Sequence, residues 1–288
     1  MLLITTNEQL ITMLPNIAVS VEGETPLIEK LTPFLESTEE WVKQHFVPEP
    51  LFSEIAVAED NYQLSIINYQ LMRLTAIEAF RCALPHLDVI LTPNGFGIVS
   101  NTNIAPASKE RISRLLDSLL ENRDASIAQL LSHLCKLPQW LSTEQAEFFR
   151  ATMFPNTVLA NRFQRIAEGR WEQYNTLRLS LLPIEEHIAT QYISEPLMAT
   201  LRAQVQSGQF STEKHKHICR VLQAVEVECL KDTTSTTLSS QVHRTLTQLV
   251  ELIRSNPEDF PEWHESTTAQ LYAPPIFENK KESKGFWF

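Results

Sequence analysis

The sequence predicts a mainly α fold, built from two tandem helical-bundle domains with a β-hairpin or extended loop in the first. Three observations favour this fold. Only six glycines occur in 288 residues, long segments carry apolar residues at i, i+3 and i+4, and a stretch near the N-terminus recurs in modified form in the second half. A chain of this length can bury a sizeable core.

The N-terminal domain is predicted over residues 1–142, and its first half is mainly helical. TTNE (5–8) has the spacing of a capping box and predicts a helix that ends before Pro15. IAVSV (17–21) alternates apolar with small or polar residues and predicts a strand. Two amphipathic helices are then expected, at about residues 26–46 and 62–84.

The stretch LTPNGFGIVSNTNIAPASKER (91–111) holds two of the six glycines and no helical period. A dinucleotide-binding loop needs a third glycine and a helix start, but Ser100 stands in the third place and a Pro-containing polar loop follows it. Pro93, Asn94 and Gly95 instead suit a turn between two short apolar arms. We therefore expect a hairpin loop over about residues 88–107, with Phe96 near its tip.

Helices are predicted for the remainder of the chain up to a final tail. Ser108 is expected to cap one helix and Asp124 to cap another that stops before Pro138. The C-terminal domain is predicted over residues 143–271 and begins with a helix from about Thr143. Pro183 should kink or break the long helical stretch that follows. The further helices are expected at about 159–192, 195–206, 212–230 and 237–254.

An internal repeat is the most informative feature of the organisation. LTPFLESTEEWVKQHFVPEPLFSEI (31–55) aligns without gaps with LRLSLLPIEEHIATQYISEPLMATL (177–201). The two segments share Glu-Glu within a helix and Glu-Pro-Leu just after it, and AIE (76–78) later matches AVE (224–226). Duplication explains the shared Glu-Pro-Leu well. The alternative is chance similarity between two amphipathic helices, which share Leu and Glu readily.

The segment 272–288 is predicted to be an extended tail. Lys280–Gly285 gives it a polar tether, and three aromatic residues follow. Aromatic side chains that would otherwise remain in water are expected to pack on their own domain or on a neighbouring subunit. The candidate protein-contact residues are Asn94, Gly95, Phe96, Gly97, Phe286, Trp287 and Phe288.

Composition and motifs give little support to an enzyme. KHKHIC (214–219) offers His215, His217 and Cys219, but on a helix only His215 and Cys219 share a face, and two ligands do not make a metal site. The sequence has no CxxC pair, GxSxG elbow or GxxxxGK loop. We therefore expect no catalysis, no cofactor and no metal.

The charge and the apolar content favour a cytosolic protein that does not bind DNA tightly. A net charge of −11 opposes broad binding to phosphates. No apolar run approaches a membrane span, and MLLITTNEQL (1–10) lacks the basic region of a signal peptide. The four cysteines lie far apart and are expected to be buried free thiols.

The run LPHLDVILTPNGFGIVSNTNIAPASKERISRLLDSL (84–119), with the start MLLITTNEQL and the ending GFWF, resembles a family of uncharacterised proteins encoded in prophages of Bacteroides and related bacteria. More distantly, each half is similar in layout to the head–tail connector (adaptor) proteins of tailed phages. Those are small helical domains that begin M-x-h-T-x-E, carry an extended loop or hairpin, and use a C-terminal segment to reach a neighbour in a ring under the portal.

This resemblance implies a structural component of a prophage virion, a head–tail connector or head-completion protein that self-assembles or docks to a ring. Its partners would be other copies of itself or phage portal and tail proteins. It would reside in the bacterial cytoplasm during assembly and then in the virion, where an acidic surface would let DNA pass nearby without binding. The alternative is a cytosolic helical protein-binding or regulatory module of a prophage, without catalysis.

Overall fold

The fold is mainly α, as predicted. The computed structural model describes residues 2–14, 25–58, 61–87, 89–92, 95–98, 108–163, 170–231 and 238–273. Two compact units are present, Met1–Ser180 with Gln204–Gln209 and Leu181–Ala203 with Phe210–Phe288. The division along the chain falls after Ser180, further on than the predicted boundary at 142–143.

Unit 1 is built mainly from helices, and α4 packs against α2 and α5 at its centre. Its elements in chain order are α1 (Asn7–Met13), α2 (Leu27–His45), α3 (Leu51–Ala56), α4 (Tyr62–Leu87), β1 (Val89–Thr92), β2 (Gly95–Ile98), α5 (Lys109–Leu134), α6 (Pro138–Leu141), α7 (Glu144–Arg150), α8 (Thr157–Phe163) and the first part of α9 (Arg170–Ile188).

Unit 2 has the same kind of core, in which aliphatic and aromatic side chains from several helices are fully buried. Its elements are the last part of α9, a π-helical turn (Ala189–Ile193), most of α10 (Glu195–Ser207), α11 (Glu213–Lys231), α12 (Ser240–Arg254), α13 (Pro261–His264) and α14 (Thr267–Gln270).

The helix starts follow local capping chemistry, with one shift of register. The capping box of α1 is formed by Thr6 and Gln9, one residue later than the predicted TTNE box. Ser108 caps α5 as expected, because its hydroxyl accepts a hydrogen bond from the Arg111 amide. The predicted strand at 17–21 lies outside the described residues.

The predicted helix cap at Asp124 was wrong, and of the kink or break predicted at Pro183 the break does not occur. Asp124 does not cap a second helix, since α5 continues through it to Leu134 and its buried carboxylate pairs with Arg123. Pro183 does not break α9, which continues to Ile188. A proline removes only one backbone donor, and tertiary packing can offset that loss.

Of the four cysteines, which are all free, only Cys219 is fully buried.

The duplication predicted for residues 31–55 and 177–201 has a matching burial pattern. The Glu-Glu pair places its first carboxylate inside and its second outside in both copies, with Glu39 and Glu185 buried and Glu40 and Glu186 exposed. The apolar positions that follow are buried in both copies, namely Val42 and Ile188, Phe46 and Tyr192, Val47 and Ile193, Leu51 and Leu197, and Phe52 and Met198.

A further repeated segment was missed at the sequence level. LPQWLSTEQA (137–146) and FPEWHESTTA (260–269) both form a short Pro-x-Trp helix followed by a second helix capped by Thr143 or Ser266. Just before them, IAQLLSHL (127–134) in α5 matches LTQLVELI (246–253) in α12, with four equivalent buried positions. The units therefore share their helix order as well as one segment.

The same hydrogen bond joins the repeated segments within each unit. The indole Nε1 of Trp140 donates to the carbonyl oxygen of Phe46 over 2.6 Å, and that of Trp263 donates to the carbonyl oxygen of Tyr192 over 2.8 Å. Phe46 and Tyr192 are equivalent in the repeat, and both tryptophans are buried. We call this contact the tryptophan anchor.

Trp140→Phe and Trp263→Phe should each lower the free energy of unfolding by about 1–3 kcal/mol, because each leaves a buried carbonyl without its donor. Urea unfolding followed by far-UV circular dichroism measures the change. Trp41→Phe is the matched control, since it removes the same atoms from a half-buried ring. A loss in the control as large as in the two anchor variants would contradict the role of the hydrogen bond.

Candidate functional site

The predicted contact residues are only partly described by the structure. Gly95, Phe96 and Gly97 lie in β2, which pairs antiparallel with β1 so that Phe96 stands opposite Leu91. The other four, Asn94 and Phe286–Phe288, lie outside the described residues. The candidate site is therefore built from the surfaces around the two tryptophan anchors, which sequence reasoning had not singled out.

In unit 1 an aromatic cluster surrounds the anchor, with Trp171 at its centre. The ring of Trp171 lies 4.9 Å from that of Phe46 and 6.0 Å from that of Phe149, and it meets Trp41 edge-on at 6.3 Å between centroids. Trp171 is only 3% exposed. The side chain of the first turn of α9 thus covers the surface around the carbonyl of Phe46.

The next turns of α9 continue this cover within unit 1. The hydroxyl of Tyr174 donates to the carbonyl oxygen of Phe154 over 2.5 Å. The guanidinium of Arg178 lies 3.7 Å from the ring centroid of Phe148, a cation–π contact on a buried cation. Aromatic and charged side chains of one helix therefore close this face of the unit.

A buried network of charges lies beside the cluster. Arg123 donates to both carboxylate oxygens of Glu172, over 3.0 and 3.1 Å, and to Asp124. Burial lowers the pKa of Arg123, but its bonds to Glu172 and the neighbouring negative charges outweigh burial and raise it. Arg81 holds Glu78 with two further short bonds. Each buried charge in this network thus has an oppositely charged neighbour.

Unit 2 has an aromatic surface at the equivalent place, but more of it is exposed. Tyr272, equivalent to Phe149, lies 6.0 Å from Trp263 between ring centroids, and its hydroxyl donates to the carbonyl of Gln191. Burial, and then the nearby Tyr192, raise the pKa of Tyr272 to about 12, so its hydroxyl stays neutral. Leu271 is 63% exposed, and its equivalent in unit 1, Phe148, is 40% exposed.

The charge network of unit 1 is replaced in unit 2. Glu226 is equivalent to Glu78, but Cys229 and Val242 stand where Arg81 and Arg123 stand in unit 1. Burial first, and then the charge of Glu185, raise the pKa of Glu226 well above its ordinary value. Arg202 donates to Glu185 over 2.8 Å. Arg202 therefore acts on both Glu185 and Glu226.

An open groove of about 390 Å³ lies between α11 and α12 in unit 2. Val242, Val225, Val221 and Ala224 form its apolar part, and Arg220 and Glu228 are among its polar residues. Ala224 is exposed, whereas its equivalent in unit 1, Ala76, is fully buried. We call this surface, together with Tyr272, the open face of unit 2.

The histidine and cysteine pair considered from the sequence has other contacts. Nδ1 of His215 lies 2.9 Å from the Thr212 hydroxyl, and its ring packs against Phe260. The thiol of Cys219 lies 3.9 Å from the carbonyl of Leu201. Among the described residues no three metal-ligating side chains come together. In the described part of the chain no helix has both the length and the apolar character to cross a bilayer.

Comparison with known proteins places the chain in one family. The model of a family of unknown function, DUF6712, matches residues 23–150 and 230–272. The matched ranges contain both anchor tryptophans, Trp140 and Trp263. No curated protein and no solved structure matches the chain.

Glu226→Gln should make unit 2 more stable at neutral pH. The raised pKa means that the folded state holds a proton that the unfolded state releases, so the wild type loses stability as pH rises from about the ordinary value of 4.5 through the raised pKa. Glutamine carries no such charge. The two proteins should therefore match at pH 4, and the variant should be increasingly more stable above it.

Urea unfolding between pH 4 and pH 8 measures this difference. Glu228→Gln is the control, because Glu228 lies on the same helix and is exposed. Parallel stability curves for the wild type and Glu226→Gln across this range would contradict the raised pKa of Glu226.

Proposed function

The chain belongs to the family of unknown function DUF6712. We propose that this protein is a structural component of a prophage virion. The protein acts as a head–tail connector or head-completion protein, and it works by self-assembly or by docking to a ring. The resemblance of residues 84–119 to prophage-encoded proteins and the helical layout of each half support this function.

The observation that carries the proposal is the difference between two otherwise equivalent units. Unit 1 covers the surface of its tryptophan anchor with Trp171, and Ala76 is fully buried there, whereas Ala224, the equivalent of Ala76 in unit 2, is exposed. Exposed apolar surface beside polar residues marks interaction sites. A surface present once per chain, met by a different segment of the next copy, makes a heterologous contact that closes into a ring where the rotation permits.

The predicted contact residues take part in this assembly as further candidates. Gly95–Gly97 in β2 and the aromatic residues 286–288 are the segments that would reach other copies, or the portal and tail proteins. The protein assembles in the bacterial cytoplasm and remains in the virion. Its net charge of −11 lets DNA pass the assembled ring without tight binding, because like charges repel.

The purified full-length protein should form an oligomer of one defined mass, and phage particles produced from the prophage should contain it. Light scattering after size-exclusion chromatography gives the mass, negative-stain electron microscopy shows whether rings form, and mass spectrometry of purified particles detects the protein. Addition of 0.5 M salt should not dissociate the oligomer, because the contact between its subunits is mainly apolar.

A monomer at all concentrations, together with particles that lack the protein, would overturn the proposal. That pair of results would favour the alternative function, a cytosolic protein-binding module of the prophage. A monomer that is nevertheless found in particles would leave docking to a ring of other proteins as the mode of assembly.

A further inference from the structure

We propose that the open face of unit 2 binds residues 285–288 of a second copy, with Trp287 on the aromatic surface and Phe288 in the groove between α11 and α12. This inference rests on the proposed self-assembly and names the contact that produces it. It is drawn from the way in which unit 1 covers its own equivalent surface.

The first support is a sequence match between the segment that covers unit 1 and the aromatic tail. Gly169-Arg170-Trp171-Glu172 precedes and begins the covering helix, and Gly285-Phe286-Trp287-Phe288 repeats the spacing of its glycine and tryptophan. Each motif follows a Pro-x-Trp segment, the anchor of unit 1 or of unit 2. Trp287 therefore corresponds to Trp171, whose ring is 3% exposed against Phe46 and Phe149.

The second support is a matched change of chemistry at the neighbouring position. In unit 1 Arg123 makes a bidentate pair with Glu172, the residue after the tryptophan. In unit 2 the place of Arg123 is taken by Val242, and in the tail the place of Glu172 is taken by Phe288. The charged residues Arg123 and Glu172 of unit 1 thus correspond to the apolar residues Val242 and Phe288. Both partners differ in the same way, so the proposed contact stays complementary.

The third support is the groove between α11 and α12, which can accept Phe288. The open groove of about 390 Å³ is lined by Val242, which is only 3% exposed, by the half-buried Val221 and by the exposed Ala224. The phenyl ring of Phe288 can cover the methyl groups of Val221 and Ala224. In unit 1 the residue equivalent to Ala224, Ala76, is fully buried. The half-buried Tyr272 provides the aromatic surface on which the indole would stack, and Tyr192 is buried beneath the open face.

The tail of a second copy fits this face better than the chain's own tail. Unit 1 has 21 residues between Phe149 and Trp171, with α8 among them, whereas the tail has only 14 between Tyr272 and Trp287. The Pro274-Pro275 sequence favours an extended chain over a helix such as α8. Extended at roughly 3.4 Å per residue, the segment reaches about 50 Å, enough to meet a neighbouring molecule.

The test uses two full-length variants that each lack one side of the contact. Trp287→Ala with Phe288→Ala removes the tail side chains, and Ala224→Glu places a carboxylate in the groove. Each variant alone should be a monomer in sedimentation velocity at tens of micromolar. An equal mixture should form a 1:1 heterodimer, because one intact tail and one intact groove remain in the pair.

Two controls keep the result interpretable. Ala125→Glu changes an exposed alanine of α5 in unit 1 and should assemble as the wild type does, and all variants should keep the wild-type circular dichroism spectrum. Val242→Arg combined with Phe288→Glu copies the Arg123–Glu172 pair and should recover the oligomer that either single change abolishes.

The outcomes separate this inference from the proposed function. A wild type that is monomeric and absent from particles would sink the proposed function and the inference with it. A wild-type oligomer that survives the tail substitutions would overturn the inference alone, as would a mixture that stays monomeric, which would place the tail on its own chain. Failure of the charge pair to recover assembly would overturn the pairing of Phe288 with Val242.

Discussion

The tryptophan anchor is the constraint on which the organisation of each unit depends. The carbonyls of Phe46 and Tyr192 come at the ends of their helical segments, where no further helical turn supplies an amide donor. A buried carbonyl without a donor is costly. The indole that satisfies it comes from a Pro-x-Trp helix 94 residues later in unit 1 and 71 residues later in unit 2. The bond therefore fixes where the chain must return after its long helices.

Around this shared anchor the two units have diverged in charge. Unit 1 keeps Arg81 and Arg123 beside Glu78, so its buried acid is paired and the adjoining surface accepts Glu172. Unit 2 has Cys229 and Val242 in place of the two arginines and has an acid at the same position, Glu226, whose pKa is raised by burial and then by the charge of Glu185. Burying a carboxyl group beside a second carboxylate costs stability, and the charge of Arg202 offsets part of this cost. The same replacement, however, makes the surface at Val242 apolar, and an apolar surface can bind an aromatic side chain.

Local patterns predicted most of the helices, because apolar periodicity and caps are encoded within a few residues. Ser108 and Thr143 could be identified in this way. Asp124 could not, since its role depends on Arg123 and on Glu172, which lies 49 residues from Arg123. The repeat at residues 31–55 was visible as one ungapped block, whereas Pro-x-Trp is short and its spacing from that block differs between the units, so insertions hid it. Trp171 gave no local signal, because its partners converge only in the folded chain.

The surface around the tryptophan anchor is covered by Trp171 in unit 1 and is more exposed in unit 2. An exposed apolar surface of this kind favours association. Had both units kept the ion-paired surface, a partner would have to desolvate an arginine and a glutamate to bind, and the gain would be small. With Ala224 exposed and Val221 half-buried in unit 2, covering the groove removes apolar area from water at little electrostatic cost. The covering segment differs from the exposed one in sequence, so each copy can give one contact and receive one. Such a contact is heterologous, because two different surfaces meet. A heterologous contact can close into a ring, whereas the isologous contact of a symmetric dimer cannot.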